Sequence, residues 1–308
     1  MRAISTAIYA VSALLAGVSG TANAQTPSLE LGTRYWVSEG RARERLSDVT
    51  RGAPEVSQLT FTSPAATGEV FGRLSLPGKW YLKGYAGIGN FFDGKLIDED
   101  FVSPGQPQYS RTESNVNGRL SYLSGDVGYH IIDNPTFKLG PIVGLHYWQE
   151  KLNAYGCTQI AANPDTCVPA IGKSVLGITQ VYRWRGLRVG AATEVMMGRW
   201  TLQAEAAYVR ASVDMDDTHW LRLFVPNGFN GATPTSATSN GLQLESVLSY
   251  RVTNAFSVGV GARYWKYEPA EGVARFDLSA IPVGTFAGQQ NTLSAERYGG
   301  FLQGSFRF

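Results

Sequence analysis

Polar and apolar residues alternate along much of this 308-residue chain. In residues 28–38, Leu31 and Tyr35 fall on one face of an extended strand, whereas Glu30 and Arg34 fall on the other. A repeat of two residues predicts antiparallel strands with one apolar and one polar face. The same alternation recurs in residues 200–208, 242–252 and 256–265.

Two all-β architectures fit this pattern, a soluble sandwich and an outer-membrane barrel. In a sandwich the apolar faces pack against each other, whereas in a membrane barrel they face lipid and the polar faces line the lumen. The last segment, ERYGGFLQGSFRF, alternates and ends on Phe308. An aromatic last residue is typical of exported barrels of Gram-negative bacteria, so the sequence favours the barrel.

Short and long breaks between the strands alternate along the chain. Short breaks lie at residues 77–78, 133–135, 198–199 and 253–254. Long polar or Gly/Pro-rich segments lie near residues 47–54, 98–112, 156–170, 215–238 and 269–290. Short turns on one side and long loops on the other are typical of outer-membrane barrels whose termini both lie inside.

This count predicts an all-β fold, a ten-stranded antiparallel transmembrane β-barrel. Several predicted strands exceed the roughly 9–11 residues that cross a bilayer, so we expect the barrel to extend above the outer membrane. The predicted strands are residues 28–46, 55–76, 79–97, 113–132, 136–155, 171–197, 200–214, 239–252, 255–268 and 291–308.

The first 24 residues have the pattern of a secretory signal peptide. Arg2 precedes a short apolar run, and Ala22-Asn23-Ala24 forms an A-x-A cleavage site. We therefore expect residues 1–24 to be removed and residues 25–308 to form the barrel in the bacterial outer membrane. The formal net charge is +2 and the chain has no basic block, so the sequence predicts no nucleic-acid partner.

The two cysteines, Cys157 and Cys167, enclose the turn-rich segment CTQIAANPDTC. In an oxidising compartment this spacing predicts one local disulfide that closes a loop. A metal pair is a weaker alternative, because no histidine or further cysteine lies near these two in the sequence.

Two pairs of titratable residues are expected at the outer ends of strands. The third predicted strand runs outward and leads into Asp98 and Asp100, and the seventh runs outward and leads into Asp217 and His219. Residues two apart in an extended strand point the same way. The other two histidines fall inside predicted strands, so only His219 falls at the outer rim.

These pairs predict hydrolysis by an activated water. A carboxylate that is hydrogen-bonded to a histidine fixes the tautomer of the histidine and stabilises its imidazolium form. The histidine can then act as a general base. Two close carboxylates resist double ionisation and can share a proton. The simpler alternative is a set of solvated acidic turns, because surface loops are rich in Asp.

The motifs resemble those of the omptin family of outer-membrane proteases, which are ten-stranded barrels that pair an Asp-x-Asp motif with an Asp-x-His motif. IDEDF at residues 97–101 looks like the first motif, and DDTHW at residues 216–220 looks like the second. SQLTF at residues 57–61 is similar to a family signature, and RARERL at residues 41–46 resembles the end of the family's first strand. The likeness follows strand order over essentially the whole mature chain.

The resemblance implies an aspartic-type endopeptidase with Asp98, Asp100, Asp217 and His219 at an active site that faces outside the cell. Its substrates would be peptides or proteins cut next to basic residues, and Glu44 occupies the place of a glutamate that helps bind the basic side chain. The resemblance also implies contact with outer-membrane lipid and a requirement for lipopolysaccharide, with no other cofactor and no metal.

One departure from the family pattern concerns the pocket for the basic side chain. The family usually carries a second acidic residue two positions before the Asp of the Asp-x-His motif, and this chain has Met215 there. Asp214 and Asp216 lie on either side, so a shift of one residue would let Asp214 take that role.

Two other functions remain open, a catalytically silent barrel that acts as an adhesin or receptor, and a narrow pore. The complete set of three aspartates and one histidine favours the enzyme. Polar lumen residues such as Arg34, Glu205, Glu245 and Arg251 are expected to pair across the lumen and disfavour the pore. Aromatic residues in GKWYLKGY, residues 78–85, are expected to form an interfacial girdle.

Overall fold

The computed structural model describes residues 27–48, 53–101, 108–162, 167–222, 232–275 and 288–308. Within these ranges no helix is long and apolar enough to cross a membrane. The predicted signal peptide lies outside the described residues and stays a prediction. The strands are β1 (Ser28–Asp48), β2 (Ala53–Thr62), β3 (Ala65–Ser75), β4 (Trp80–Phe101), β5 (Gln108–Tyr129), β6 (Ile132–Asp133), β7 (Phe137–Ala162), β8 (Ile171–Met197), β9 (Trp200–His219), β10 (Ala232–Arg251), β11 (Phe256–Arg275) and β12 (Gly288–Arg307).

The strands form one antiparallel sheet that closes into a ring, because β1 pairs with β12. Both β2 and β3 lie between β1 and β4, so together they occupy one position in the ring. The two-residue strand β6 pairs only with β7, inside a turn. The ring therefore has ten strand positions, which confirms the predicted ten-stranded antiparallel barrel.

The two faces of the wall follow the predicted alternation. Tyr35 is 57% exposed on the outside, whereas Arg34 points into the lumen and pairs with Glu69. Leu29 and Phe308 exchange backbone hydrogen bonds, so both described ends of the chain lie at one end of the barrel, called here the near end. The opposite end, to which residue 48 of β1 belongs, is called the far end.

Several strands run further toward the far end than the sequence predicts. The third predicted strand ends at residue 97, but β4 continues to Phe101, and the seventh ends at residue 214, but β9 continues to His219. These extensions carry polar residues on both faces, because beyond the lipid both faces can meet polar surroundings. The alternation of polarity therefore disappears before the strand does.

Charged and aromatic side chains fill the lumen. Glu69 accepts hydrogen bonds from Arg34 and Arg263, and Arg263 also pairs with Glu245 at 2.6 Å. Trp36 and other rings pack against this cluster. The expected pairing across the lumen is thus present for Arg34, Glu245 and Glu205, whose carboxylate pairs with Arg188 at 2.8 Å. The prediction is wrong for Arg251, which is exposed at the near end and donates to the Gly198 carbonyl.

The aromatic residues of the segment 78–85 divide between the two faces. Trp80 is 50% exposed and packs against Tyr129, as a girdle residue would. The girdle prediction is wrong for Tyr81 and Tyr85, whose side chains are buried in the lumen. The prediction that His130 lies inside a strand is also wrong, because β5 ends one residue earlier and His130 lies in the turn.

Candidate active site

The far end of β9 brings Asp217 and His219 together. Odd-numbered residues of β9 face the lumen, and the two side chains lie side by side, with His219 Nε2 2.8 Å from Asp217 Oδ2. Asp217 is only 5% exposed. A carboxylate can only accept a hydrogen bond, so Nε2 is the donor to Asp217, and in a neutral imidazole this arrangement leaves Nδ1 as the acceptor nitrogen.

The residue after His219 is also fixed in place. Trp220 Nε1 donates to Thr179 Oγ1 at 2.9 Å, and Thr179 donates in turn to Asn153 Oδ1 at 3.1 Å. These bonds join the end of β9 to β8 and β7. They restrain the backbone at His219 although this segment lies at the end of its strand.

A β-bulge in β4 turns Asp98 and Asp100 toward the lumen. Odd-numbered residues of β4 face inward up to Phe91, and the register with β5 then shifts between Phe91 and Gly94. Within the bulge Asp93 has a φ of 50°. One extra residue exchanges the two faces of a strand, so even-numbered residues face inward beyond this point.

Glu44 connects the two pairs. On one side, Asp98 lies opposite Leu59 on β2, and Leu59 lies opposite Glu44 on β1. On the other side, Asp217 lies opposite Gln180 on β8, and Gln180 Nε2 donates across the lumen to Glu44 Oε2. Both pairs therefore line the lumen at the far end, opposite the termini.

Glu44 is a buried carboxyl group on which the charges of Asp217 and Asp98 act. It is 1% exposed, and burial raises its pKa to about 8. The charge of Asp217 raises the pKa further, as does that of Asp98, whereas hydrogen bonds from Asn291 and Gln180 oppose the rise. Burial also raises the pKa of Tyr182, with the charges of Glu44 and Asp217 acting in the same direction.

The position two residues before Asp217, where the resemblance implies a second acid, carries no charge in this chain. Met215 faces the lumen and is buried, so no carboxylate stands two residues before Asp217. Asp214 faces outward and accepts from Arg185 at 2.7 Å, and Asp216 faces outward and accepts from Arg183 at 2.6 Å. The idea that Asp214 replaces the missing acid is therefore wrong, because it lies on the other face of the wall.

A buried polar and aromatic layer forms the floor of the site. Arg297 is fully buried, and its Nη2 donates to Glu150 Oε1 at 2.6 Å while its Nη1 donates to Ser38 Oγ at 2.9 Å. Trp184 stacks on Tyr267 nearby, with ring centroids 4.5 Å apart. This layer separates the far end of the lumen from the near end.

Sequence reasoning missed Gln180 and Asn291. Both are fully buried, and Asn291 Nδ2 donates to Glu44 Oε1 at 2.5 Å. The predicted strand 171–197 includes Gln180, so its inward position could have been found by counting alternate residues from Trp184. The contact across the lumen could not, because no local pattern encodes which strand lies opposite.

Cys157 and Cys167 form a disulfide with Cα atoms 5.7 Å apart. It joins the end of β7 to the start of the segment that leads into β8. In the described part of the chain, no three His, Cys, Asp or Glu side chains come together as a metal site. The candidate site contains carboxyl and imidazole groups, which can exchange protons, and amide groups that form hydrogen bonds with them.

The family profile and one solved structure agree with this architecture. The profile of the family described as Pom, Protochlamydia outer membrane protein, matches residues 52–276. The outer membrane protease OmpT from Escherichia coli superimposes with a TM-score of 0.78 at 14% identity, covering 94% of this chain and 99% of that chain. The translocator domain of the autotransporter NalP from Neisseria meningitidis matches with a TM-score of 0.37 at 10% identity, covering 100% and 95%. No curated protein sequence matches the chain.

Proposed function

Since the chain belongs to the Protochlamydia outer membrane protein family and is an outer-membrane β-barrel, we propose that its far end is the active site of an omptin-like endopeptidase. The observation that carries this proposal is the pair formed by Asp217 and His219, 2.8 Å apart in a lumen that Asp98 and Asp100 also line. A silent barrel would have no chemical use for this set of side chains.

In the proposed reaction, His219 acts as the general base. Asp217 holds Nε2–H, so Nδ1 takes a proton from a water molecule as the water oxygen attacks the peptide carbonyl. The imidazolium that forms is stabilised by the adjacent carboxylate of Asp217. The same proton then passes to the leaving amine when the tetrahedral intermediate breaks down.

Asp98 and Asp100 stabilise the tetrahedral intermediate. Their side chains lie two residues apart on the lumen face of β4, and two neighbouring carboxyl groups resist carrying two negative charges. One proton held by the pair can be donated to the oxyanion that develops from the carbonyl. This role needs no covalent nucleophile.

Glu44 is the group we propose for binding a basic side chain next to the cut. The resemblance to omptins supports this role, as does a buried carboxyl within the electrostatic reach of both pairs. Peptide or protein segments with Lys or Arg are therefore the proposed substrates. The absence of a second inward carboxylate at Met215 weakens the pocket relative to one with two acids.

We propose that the far end faces the outside of the cell, where it meets substrates and outer-membrane lipid. On the outer face of β1, apolar residues give way to Arg41, Arg43 and Arg45 as the strand approaches the far end. Cationic side chains above an apolar belt suit the phosphates of lipopolysaccharide. We therefore expect activity to require lipopolysaccharide.

A peptide library tests the proposed function. The refolded protein should cleave peptides that contain Lys or Arg in the presence of lipopolysaccharide and fail to cleave them without it. Asp217→Asn provides the control for contaminating proteases, because it preserves shape and removes the charge that orients His219. Equal cleavage by this variant would refute the proposal, and no cleavage by the folded wild type would favour the adhesin or receptor.

A further inference from the structure

His219 is the last residue of β9, and at this point β9 is paired on one side only. In the described part of the chain, pairing with β10 reaches Thr218, opposite Ala232, and goes no further. His219 pairs with Ile178 on β8, and this is the last pair of that ladder too. Strand ends open more readily than strand centres, because fewer backbone hydrogen bonds hold them. The proposed base therefore lies where backbone pairing alone holds the strand weakly.

A side-chain contact on the outer face of the wall joins this strand end to β8. Gln180 is fully buried in the lumen, so its neighbour Thr179 points to the opposite, outer face. Thr179 is nevertheless only 7% exposed, and Trp220 Nε1 donates to its Oγ1 at 2.9 Å. The chain thus turns outward directly after His219, and the indole contacts β8 from outside.

The hydroxyl of Thr179 uses both of its hydrogen-bonding roles. It accepts from the indole, and it donates to Asn153 Oδ1 at 3.1 Å. Asn153 lies opposite Thr179 on β7, so these bonds connect the end of β9 to two further strands. Thr179 also lies opposite Thr218, the residue between Asp217 and His219. It is therefore next to the catalytic pair along the wall, on the face that points away from the lumen.

We propose that Thr179 is a positioning residue, which acts through Trp220 to hold His219 at hydrogen-bond distance from Asp217. The inference rests on the proposed peptidase function and adds a residue that touches neither the substrate nor the reacting atoms. A displacement of a catalytic group by about 1 Å can lower a rate about 10²-fold. The 2.8 Å bond between His219 and Asp217 would not survive such a displacement.

Substitutions at Thr179 separate its hydroxyl from the shape of its side chain. Thr179→Val keeps the shape and removes both hydrogen bonds, whereas Thr179→Ser keeps the hydroxyl. With a peptide that the wild type cleaves, at saturating lipopolysaccharide, kcat should fall by roughly 10–100-fold in Thr179→Val and recover in Thr179→Ser. KM should stay unchanged in both variants, because Glu44, the proposed binding group, lies on another strand.

Trp220→Phe removes the same contact from its other side, because phenylalanine keeps an aromatic ring and lacks the N–H donor. If Thr179 and Trp220 act through one hydrogen bond, the variant that combines Thr179→Val with Trp220→Phe should lose no more activity than the weaker single variant. Losses that multiply in the double variant would show that the two residues act separately, and would overturn the inference.

Thr193→Val is the matched control. Thr193 lies on the same strand and donates one side-chain hydrogen bond, to the Lys138 carbonyl at 3.0 Å. This variant should keep the kcat of the wild type, and all variants should keep the gel migration of a folded barrel. Wild-type kcat in a folded Thr179→Val protein, or an equal fall in Thr193→Val, would overturn the inference and leave the peptidase standing. No cleavage by the folded wild type would overturn both.

A nuclear magnetic resonance measurement reads the position of His219 without relying on cleavage. The chain has three histidines, so the imidazole N–H signal of isotope-labelled histidine can be assigned by its absence in His219→Ala. An imidazole N–H that is bonded to a buried carboxylate exchanges slowly with water. The signal should therefore be present in the wild type and in Thr179→Ser, and broadened or lost in Thr179→Val. An unchanged signal in Thr179→Val would overturn the inference.

Discussion

Asp217 interacts with both His219 and Glu44 at the far end. Its Oδ2 lies 2.8 Å from His219, and its charge acts on Glu44. One carboxylate therefore orients the proposed base and, after burial, also raises the pKa of the proposed binding group. This coupling predicts that the charge state of the pocket changes the stability of the protein.

Replacing Glu44 should change how stability depends on pH. The pKa of Glu44 is about 8 in the folded protein, compared with an ordinary value of 4.5, so the folded state holds a proton that the unfolded state has lost. Stability from this group is full below about pH 4.5 and is lost as pH rises through 8. Glu44→Gln should remove that loss, so the variant should gain stability relative to the wild type between pH 6 and pH 9.

The measurement is the denaturant midpoint at pH 6 and pH 9, followed by the change of gel migration that distinguishes folded from unfolded barrels. Glu39→Gln is the matched control, because Glu39 is exposed on the outer face of the same strand. An equal fall of the midpoint in wild type and Glu44→Gln would show that Glu44 does not hold the proton.

At the scale of the strand, the direction of a side chain depends on a single extra residue. Without the bulge in β4, the inward parity set by Tyr81 and Tyr85 would turn Asp98 and Asp100 outward and Glu99 inward. The sequence shows only that the two aspartates share a face. Which face they share is decided at Asp93, more than a bilayer-crossing length after the strand begins.

Deleting Asp93 should therefore abolish cleavage while the barrel still forms. The deletion removes the extra residue and exchanges the two faces from Gly94 onward. Asp93→Gly is the matched control and should retain activity, because glycine adopts the positive φ of this position readily. Folding is checked by gel migration, and full activity in a folded deletion variant would contradict the account.

The strands could be predicted from the sequence because lipid on one side and a polar lumen on the other impose alternation. Where the wall leaves the lipid this constraint ends, which is why the far ends of β4 and β9 were predicted too short. Asp217 and His219 could be paired by their spacing. Gln180 and Asn291 could not be assigned to the site, because their contacts with Glu44 span 136 and 247 residues of sequence.

At the scale of the whole molecule, the barrel is a wall around a filled lumen. Buried ion pairs around Glu69 and Arg263 are followed by the aromatic layer and by the Arg297–Glu150 pair. Gly87 makes room for one of these rings, because a Cβ there would lie 2.3 Å from Cζ of Tyr122. In the described part of the chain, buried charged and aromatic side chains fill this lumen and support the side chains at its far end.

We expect no stepwise ion conductance when the protein is inserted into a planar lipid bilayer. Because charged and aromatic side chains fill the described part of the lumen, applied voltage should drive no channel current. A general porin inserted in the same lipid confirms that the assay detects channels. Steady single-channel steps from the wild type would show that the lumen opens and would favour the pore.

The most direct test of the central claim is the rate of peptide cleavage by His219→Ala and Asp98→Ala, each compared with the wild type at saturating lipopolysaccharide. Loss of a general base typically lowers the rate about 10²–10⁴-fold, so we expect kcat to fall at least that far in His219→Ala. Asp98→Ala should fall comparably if the site acts as a unit. Both variants should keep the gel migration of a folded barrel. Full activity in a folded His219→Ala protein would contradict the account and leave the adhesin or receptor as the better explanation.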